Sequence, residues 1–278
     1  MTPSTFEALA ARPDDEMDAT YGAALISRDA YAKLDIGAMF ARFDDLAAPL
    51  VGLGLATLPP AAQASKLADH LYGALGFRGN ESEYYDPRNS LLPDVLDRKL
   101  GIPITLALVY VEVARRCGVD ARGVSFPGHF LVRIEAAERD LGEPLFVDPF
   151  FGGRVLDRAA LERLLRRGTS PDQQLTDEHL APASARTILV RMLINLKWIH
   201  MTRGDFARAH LALDRIVSLT PDAPAALRER GMLAARLGAV EAARADLSRL
   251  LEIWPDASDA KAIRARLDEL SSAKRVLN

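Results

Sequence analysis

The stretch GIPITLALVYVEVARRCGVDARGVSFPGHFLVRIE, Gly101 to Glu135, decides the fold. Its first half predicts a helix over 103–116. Pro103 suits the first helical position, because its missing N–H is one that a helix start leaves unpaired and its φ is already helical. Gly118 is a natural C-terminal cap. Between them Leu106, Ala107, Leu108, Val109, Tyr110, Val111, Val113 and Ala114 leave almost no polar face, so this helix should be the central buried one. The second half reads as strand, Arg122 to Phe126 and Phe130 to Glu135 around the turn signal Pro127-Gly128, and Leu145 to Val147 continues it past Gly142 to Pro144. A buried helix followed by short antiparallel strands makes an α+β domain.

Working towards the N-terminus, Ser90 to Arg98 is a short helical run. The stretch before it, GNESEYYDPRN from Gly79 to Asn89, is polar and turn-rich. It should be a surface loop carrying Tyr84, Tyr85, Arg88 and Asn89, and loops in such positions often carry function. Further back, Ile36, Met39, Phe40, Phe43, Leu46 and Leu50 recur at helical spacing. Leu67, Leu71 and Leu75 repeat the pattern before Gly76, so the first eighty or so residues are mainly helical.

Towards the C-terminus, GTSPDQQLTDEHLAPASAR from 168 to 186 reads as a linker. Beyond it the sequence is rich in Ala, Arg and Leu with no strand signal. A 34-residue offset places Gly204 on Gly238, Ala209 on Ala243, Leu213 on Leu247, and Pro221-Asp222-Ala223 on Pro255-Asp256-Ala257. That period, with its small and proline positions, matches the tetratricopeptide repeat of paired helices. Two repeats are expected, about 190–223 and 224–257, capped by a helix with Ile263, Leu267 and Leu270. The domains expected are 1–180, with 1–78 helical and 79–180 the core, and a repeat region over 187–278.

Composition bounds the function classes. The 278 residues are 49% hydrophobic and 26% charged, a globular makeup that excludes disordered, collagenous and small disulfide-scaffold classes. The net charge of -3 supplies no broad footprint for nucleic acid and no polybasic patch for a membrane. One cysteine, Cys117, fits a reducing cytoplasm. The N-terminus has no basic region followed by an apolar core, so no secretory signal is expected, and the greasy stretches 46–62 and 102–114 are broken or too short to span a bilayer.

Two residues stand out for chemistry. His129 follows Pro127-Gly128 at the start of one strand, and Asp148 ends another before Pro149. If those strands pair, the carboxylate can fix the tautomer and orientation of the imidazole. If they do not, each is satisfied separately. His70, His179, His200 and His210 show no paired ligand spacing, and no glycine-rich loop joins a strand to a helix as a phosphate site requires, so no metal and no cofactor is expected.

The block Gly76 to Arg133, with GIPIT and PGHFLVR, followed by FVDPFFGGRVL from Phe146 to Leu156, resembles the SirB family of bacterial proteins. That family joins a transglutaminase-like core to tetratricopeptide repeats. The resemblance implies a papain-like core in which a helix N-terminus and a small antiparallel sheet assemble a Cys-His-Asp triad. His129 fits the histidine and Asp148 the aspartate. The Gly101-Ile102 pair and Ala107 fit the frame around the nucleophile, and the cysteine position is occupied by Pro103.

The loss matters, because a helix N-terminus stabilises a thiolate. Cys117 lies fourteen residues further along the same helix, about 20 Å away at 1.5 Å per residue, where the dipole disfavours a thiolate. Thr105 is the substitute candidate, its hydroxyl approaching His129 as general base. Against that, it projects about 200° from position 103, and its simpler role is to satisfy a first-turn backbone group. Ser125 is a weaker candidate.

In the repeats, the first helix of each pair would turn Arg191, Ile194, Trp198, Met201, Arg228 and Met232 to a concave face. An aromatic flanked by arginines there suits an acidic peptide, or the shallow groove of two repeats simply docks against the core domain. Two functions follow as expectations. One is a non-catalytic module that binds a protein or peptide. The other is a hydrolase or acyltransferase using a hydroxyl or an activated water with His129 and Asp148.

Overall fold

The structure, a computed structural model, describes residues 3–136 and 143–276; the expected turn at Gly142 lies outside them. In chain order the elements are α1 (Phe6–Ala10), α2 (Ala19–Ser27), α3 (Ile36–Ala47), α4 (Pro60–Ala68, continued by a π-helical stretch over Asp69–Ala74), β1 (Arg78–Gly79), α5 (Leu92–Arg98), β2 (Leu100–Gly101) and α6 (Pro103–Arg116). Then come β3 (Ala121–Val124), β4 (Leu131–Ile134), β5 (Leu145–Asp148), β6 (Arg154–Leu156), α7 (Arg158–Gly168) and α8 (Asp177–Leu180). The helices α9 (Ala185–Thr202), α10 (Phe206–Leu219), α11 (Pro224–Arg236), α12 (Val240–Ile253) and α13 (Ala260–Val276) complete the chain. They form two units, one spanning Pro13–Met192 and a second that begins at Leu193 and takes in the N-terminal segment up to Arg12.

The first unit is α+β and is built around α6. That helix starts at Pro103, as its sequence dictates, and is buried along nearly its whole length, from Ile104 and Leu106 to Val113 and Ala114. The burial accommodates one acid, because Glu112 pairs with Arg115 and Arg116. Beside α6 lies a four-stranded antiparallel sheet in the order β3-β4-β5-β6. Val124, Phe126, Leu131, Phe146 and Leu156 from the sheet side pack with Leu161 and Leu165 of α7 into one apolar cluster.

Several elements of this unit, α7 among them, were not expected. The strand β6 is only three residues long, and its residues Arg154 and Val155 are exposed, so its pattern is too brief to read as a strand. The parallel pair β1 and β2, two residues each, is likewise too short to leave a periodicity. Within 168–186, expected as a linker, α8 forms behind the Thr176 capping box and α9 begins at Ala185.

The second unit is all-helical, running from the latter part of α9 to α13 and turning at Gly204 and Gly238, both in the left-handed conformation that glycine adopts without cost. These are the positions the 34-residue offset superposes. The two helix pairs and the closing α13 follow the expected repeat pattern. Residues 3–12 group with these helices. The physical cause is α1, whose Phe6 and Leu9 bury beside α10, while Glu7 pairs with Arg215 and that guanidinium lies 5.0 Å from the Phe6 ring centroid. Among the described residues no helix is long and apolar enough to cross a membrane.

Candidate functional site

The β4 and β5 strands do pair, with Val132 opposite Val147 and Phe146 opposite Arg133. One step further along that register, Asp148 at the end of β5 meets the entry to β4, where His129 follows its turn. The result is a hydrogen bond of 2.9 Å between His129 Nε2 and Asp148 Oδ1. Asp148 is 0% exposed and His129 is 8% exposed.

The carboxylate is satisfied on every side. Its Oδ1 also accepts the backbone N–H groups of Phe150 at 3.2 Å and Phe151 at 3.3 Å, and its Oδ2 accepts from Arg154 Nη2 at 3.0 Å. Burial alone would push the Asp148 carboxyl up; the hydrogen bonds and charges of His129 and Arg154 outweigh it and hold the group below the usual carboxylate range. An ionised carboxylate only accepts, so Nε2 is the donor to Asp148 and Nδ1 is the ring nitrogen left for another partner. The ring is held by aromatics, with Phe151 stacked at 6.2 Å and Phe150 edge-on at 6.3 Å between centroids.

The N-terminus of α6 is tied to this group through β1. Gly79 N–H donates to Phe150 O at 3.2 Å, and the next residue, Asn80, donates its N–H to Gly101 O at 3.0 Å, two residues before Pro103. The strand therefore links the aromatic beside His129 to the start of the buried helix. Pro103 stands at the first helical position there, with Ile102 as the cap.

Thr105 is fully buried, and its hydroxyl donates to Asn89 O at 2.7 Å and accepts Ile102 N–H at 3.2 Å. It caps the first turn and anchors the preceding loop. Cys117 caps the other end of α6, where burial pushes its thiol pKa up, away from the reactive thiolate.

The loop residues divide. Tyr84 packs edge-on against Phe150 at 5.8 Å, one ring removed from His129. Asn89 is fully buried and serves as a strut, its amide nitrogen donating to Glu83 O and its oxygen accepting from Asn80 and Arg98. Arg88 is bound to Asp86 by both Nε and Nη2. Neither Asn89 nor Arg88 is brought to His129. Ser125 Oγ accepts from Arg191, and the structure gives it no bond to His129.

Arg191 was expected at the repeat groove. It lies in the first unit, donating to Ser125 Oγ at 2.9 Å and Phe126 O at 2.8 Å, with its guanidinium 5.6 Å from the Phe130 ring centroid. The helical register that pointed it towards a repeat surface took no account of α9 beginning inside the core unit. Arg228 is half-buried and paired with Asp259, while Trp198 is 46% exposed.

The site also takes in Arg154, Phe150 and Phe151 of the motif VDPFFGGR, which were not among the expected site residues. Their signal was present, because two glycines after a strand imply a tight return, and a tight return sets Arg154 opposite Asp148.

A histidine held by a buried aspartate on a small antiparallel sheet, linked through β1 to the start of a central buried helix, fits a transglutaminase-like fold. The family model described as transglutaminase-like superfamily matches residues 34–194, and a tetratricopeptide repeat model matches residues 196–268. The chain belongs to the transglutaminase-like superfamily, among the proteins named UPF0162 and SirB1. It is 39% identical to a UPF0162 protein of Xylella fastidiosa over 276 residues, 97% of this chain and 95% of the relative. With protein SirB1 of Salmonella typhimurium it shares 28% over 216 residues, 78% of this chain and 79% of that one. F-box only protein 21 of Homo sapiens is 30% identical over 195 residues, 68% of this chain and 28% of that protein.

Proposed function

We propose that the chain is a non-catalytic member of this superfamily that works in the cytoplasm by binding a protein or peptide. The observation that carries this reading is Pro103 at the first position of α6, where the resemblance places the nucleophilic cysteine. A pyrrolidine ring offers neither a thiol nor a hydroxyl to the histidine. Thr105 does not replace it cheaply, because freeing its oxygen breaks two buried hydrogen bonds, at about 1–3 kcal/mol for each group left unmet.

The binding surface proposed is on the repeats. Ile194, Trp198 and Met201 recur at i, i+4 and i+7 on α9 and are exposed, as is Met232 on α11. The ion pair of Lys197 with Glu229 ties those two helix faces together. Tetratricopeptide repeats generally mediate protein–protein interaction, and an exposed aromatic among methionines is an adaptable anchor for a partner segment.

A second reading is favoured by the intact His129–Asp148 bond: a hydrolase in which Nδ1 activates a water. Covalent trapping separates the mechanisms. An electrophilic acyl probe followed by mass spectrometry should yield no His129-dependent adduct on the core. An adduct on Thr105 that disappears in Thr105→Val overturns the non-catalytic reading, and turnover without an adduct supports the water mechanism.

A further inference from the structure

On the strand-and-helix edge of the core unit, β6 and α7 enclose a cavity of about 140 Å³ lined by Arg154, Leu156, Ala160, Arg163, Leu164 and Arg167. The lining follows from two periodicities. Arg154 and Leu156 are alternate residues of a strand, and Ala160, Arg163, Leu164 and Arg167 fall at i, i+3, i+4 and i+7 of a helix, so each set shares one face. The floor is apolar, because Leu156 belongs to the cluster that Ala160 and Leu164 pack against. The walls are three guanidinium groups.

Arg154 is paired with Asp148, and the other two charges, Arg163 and Arg167, are not neutralised by their neighbours. The nearby acids are already engaged: Asp157 caps α7 through Ala160 N–H at 2.7 Å, Glu162 pairs with Arg158 at 3.2 Å on the adjacent stripe, and Asp148 takes Arg154. Among the described residues Arg163 and Arg167 form no ion pair and both are exposed. A chain with a net charge of -3 thus concentrates uncompensated cations around one small apolar depression.

We propose that this groove binds an acidic peptide segment, its carboxylates held by Arg163 and Arg167 and an apolar side chain seated on Leu156 and Leu164. The guanidinium fork matches a carboxylate bidentately, which gives orientation as well as attraction. The apolar floor favours a peptide over a polynucleotide, whose phosphates bring no aliphatic group to fill it. The cavity is also smaller than the few hundred Å³ that cofactor-sized ligands occupy, and it suits one or two side chains. The cavity shares Arg154 with the His129–Asp148 network, but its free charges, Arg163 and Arg167, belong to α7, so the proposal stands whether or not the chain proves catalytic.

The test is fluorescence anisotropy with the full chain and a fluorescein-labelled peptide alternating pairs of glutamate with leucine. Its glutamine counterpart and a labelled oligothymidylate serve as the other arms. The acidic peptide should bind, weaken with added salt, and exceed the glutamine peptide by at least about tenfold. Arg163→Glu with Arg167→Glu should lose at least about tenfold, and the milder Arg163→Gln with Arg167→Gln should lose affinity with an unchanged melting temperature. Arg208→Gln, which removes one exposed arginine of α10, should bind as the native chain does. Absence of binding, equal binding by both double variants, or oligothymidylate binding as tightly as the peptide would overturn the assignment. Loss in Trp198→Ala alone would move the peptide to the repeats and overturn it as well.

Discussion

His129 and Asp148 meet at 2.9 Å across the ends of β4 and β5, and the aspartate takes Arg154 on its second oxygen. The pair is therefore one half of a three-residue network whose other half, Arg154, sits across the return that Gly152 and Gly153 allow. Such a network orients an imidazole and also joins two strands and a loop, so it persists for structural reasons even where no nucleophile faces it.

Asp148→Asn keeps the shape and removes the charge. It should cost about 1–3 kcal/mol, a loss of roughly 2–4 °C in melting temperature per kcal/mol for a unit of this size. Asp148→Ala should cost more, because it leaves Arg154, His129 and two backbone N–H groups without their acceptor. Differential scanning calorimetry of both variants checks the order; equal melting temperatures across all three proteins would contradict it.

The same carboxylate sets a pH dependence. Its pKa is lower folded than unfolded, so the unfolded chain binds more protons between the two values, and stability rises with pH there. The contribution is present above the usual carboxylate range and is lost as pH falls through the depressed value. Urea unfolding from pH 6 downward should show this acid loss, shallower in Asp148→Asn; identical slopes would argue against the assignment.

Two adjacent glycines separate conformational cost from crowding. Gly152 and Gly153 both have positive φ, but a Cβ at 152 meets open space, whereas one at 153 would lie 2.4 Å from the Tyr72 ring. Gly152→Ala should cost about 1 kcal/mol and Gly153→Ala distinctly more, measured by chemical denaturation. Equal costs would mean that the turn is not packed on Tyr72.

How much of this was legible depends on the length of the signal. The helix over 103–116 and the repeat turns at Gly204 and Gly238 were readable, because a long apolar run and a fixed period are local patterns. The approach of His129 to Asp148 stayed conditional on strand pairing, which the residues alone leave open. Arg154 was missed because its role depends on β6, three residues long. The bonds of Arg191 to Ser125 and Phe126 were not legible, because helical register says which face a residue takes and nothing about what that face packs on. Thr105 was open between cap and nucleophile until its two hydrogen bonds were in view.

Restoring a thiol probes the helix start. Pro103→Cys, made with Cys117→Ser, places sulfur at the N-terminus of a 14-residue helix, where the exposed N–H groups favour thiolate. Iodoacetamide at neutral pH should label it faster than Cys117 in the native chain, and adding His129→Ala should slow the labelling. A rate below that of Cys117, indifferent to His129, would show that position 103 does not face the pair.

The most direct measurement is turnover. Purified native chain and its His129→Ala variant, assayed side by side for amide hydrolysis and acyl transfer on glutamine-containing peptides, should give the same background rate. Hydrolysis or transfer that the native chain performs and His129→Ala does not would contradict the non-catalytic account.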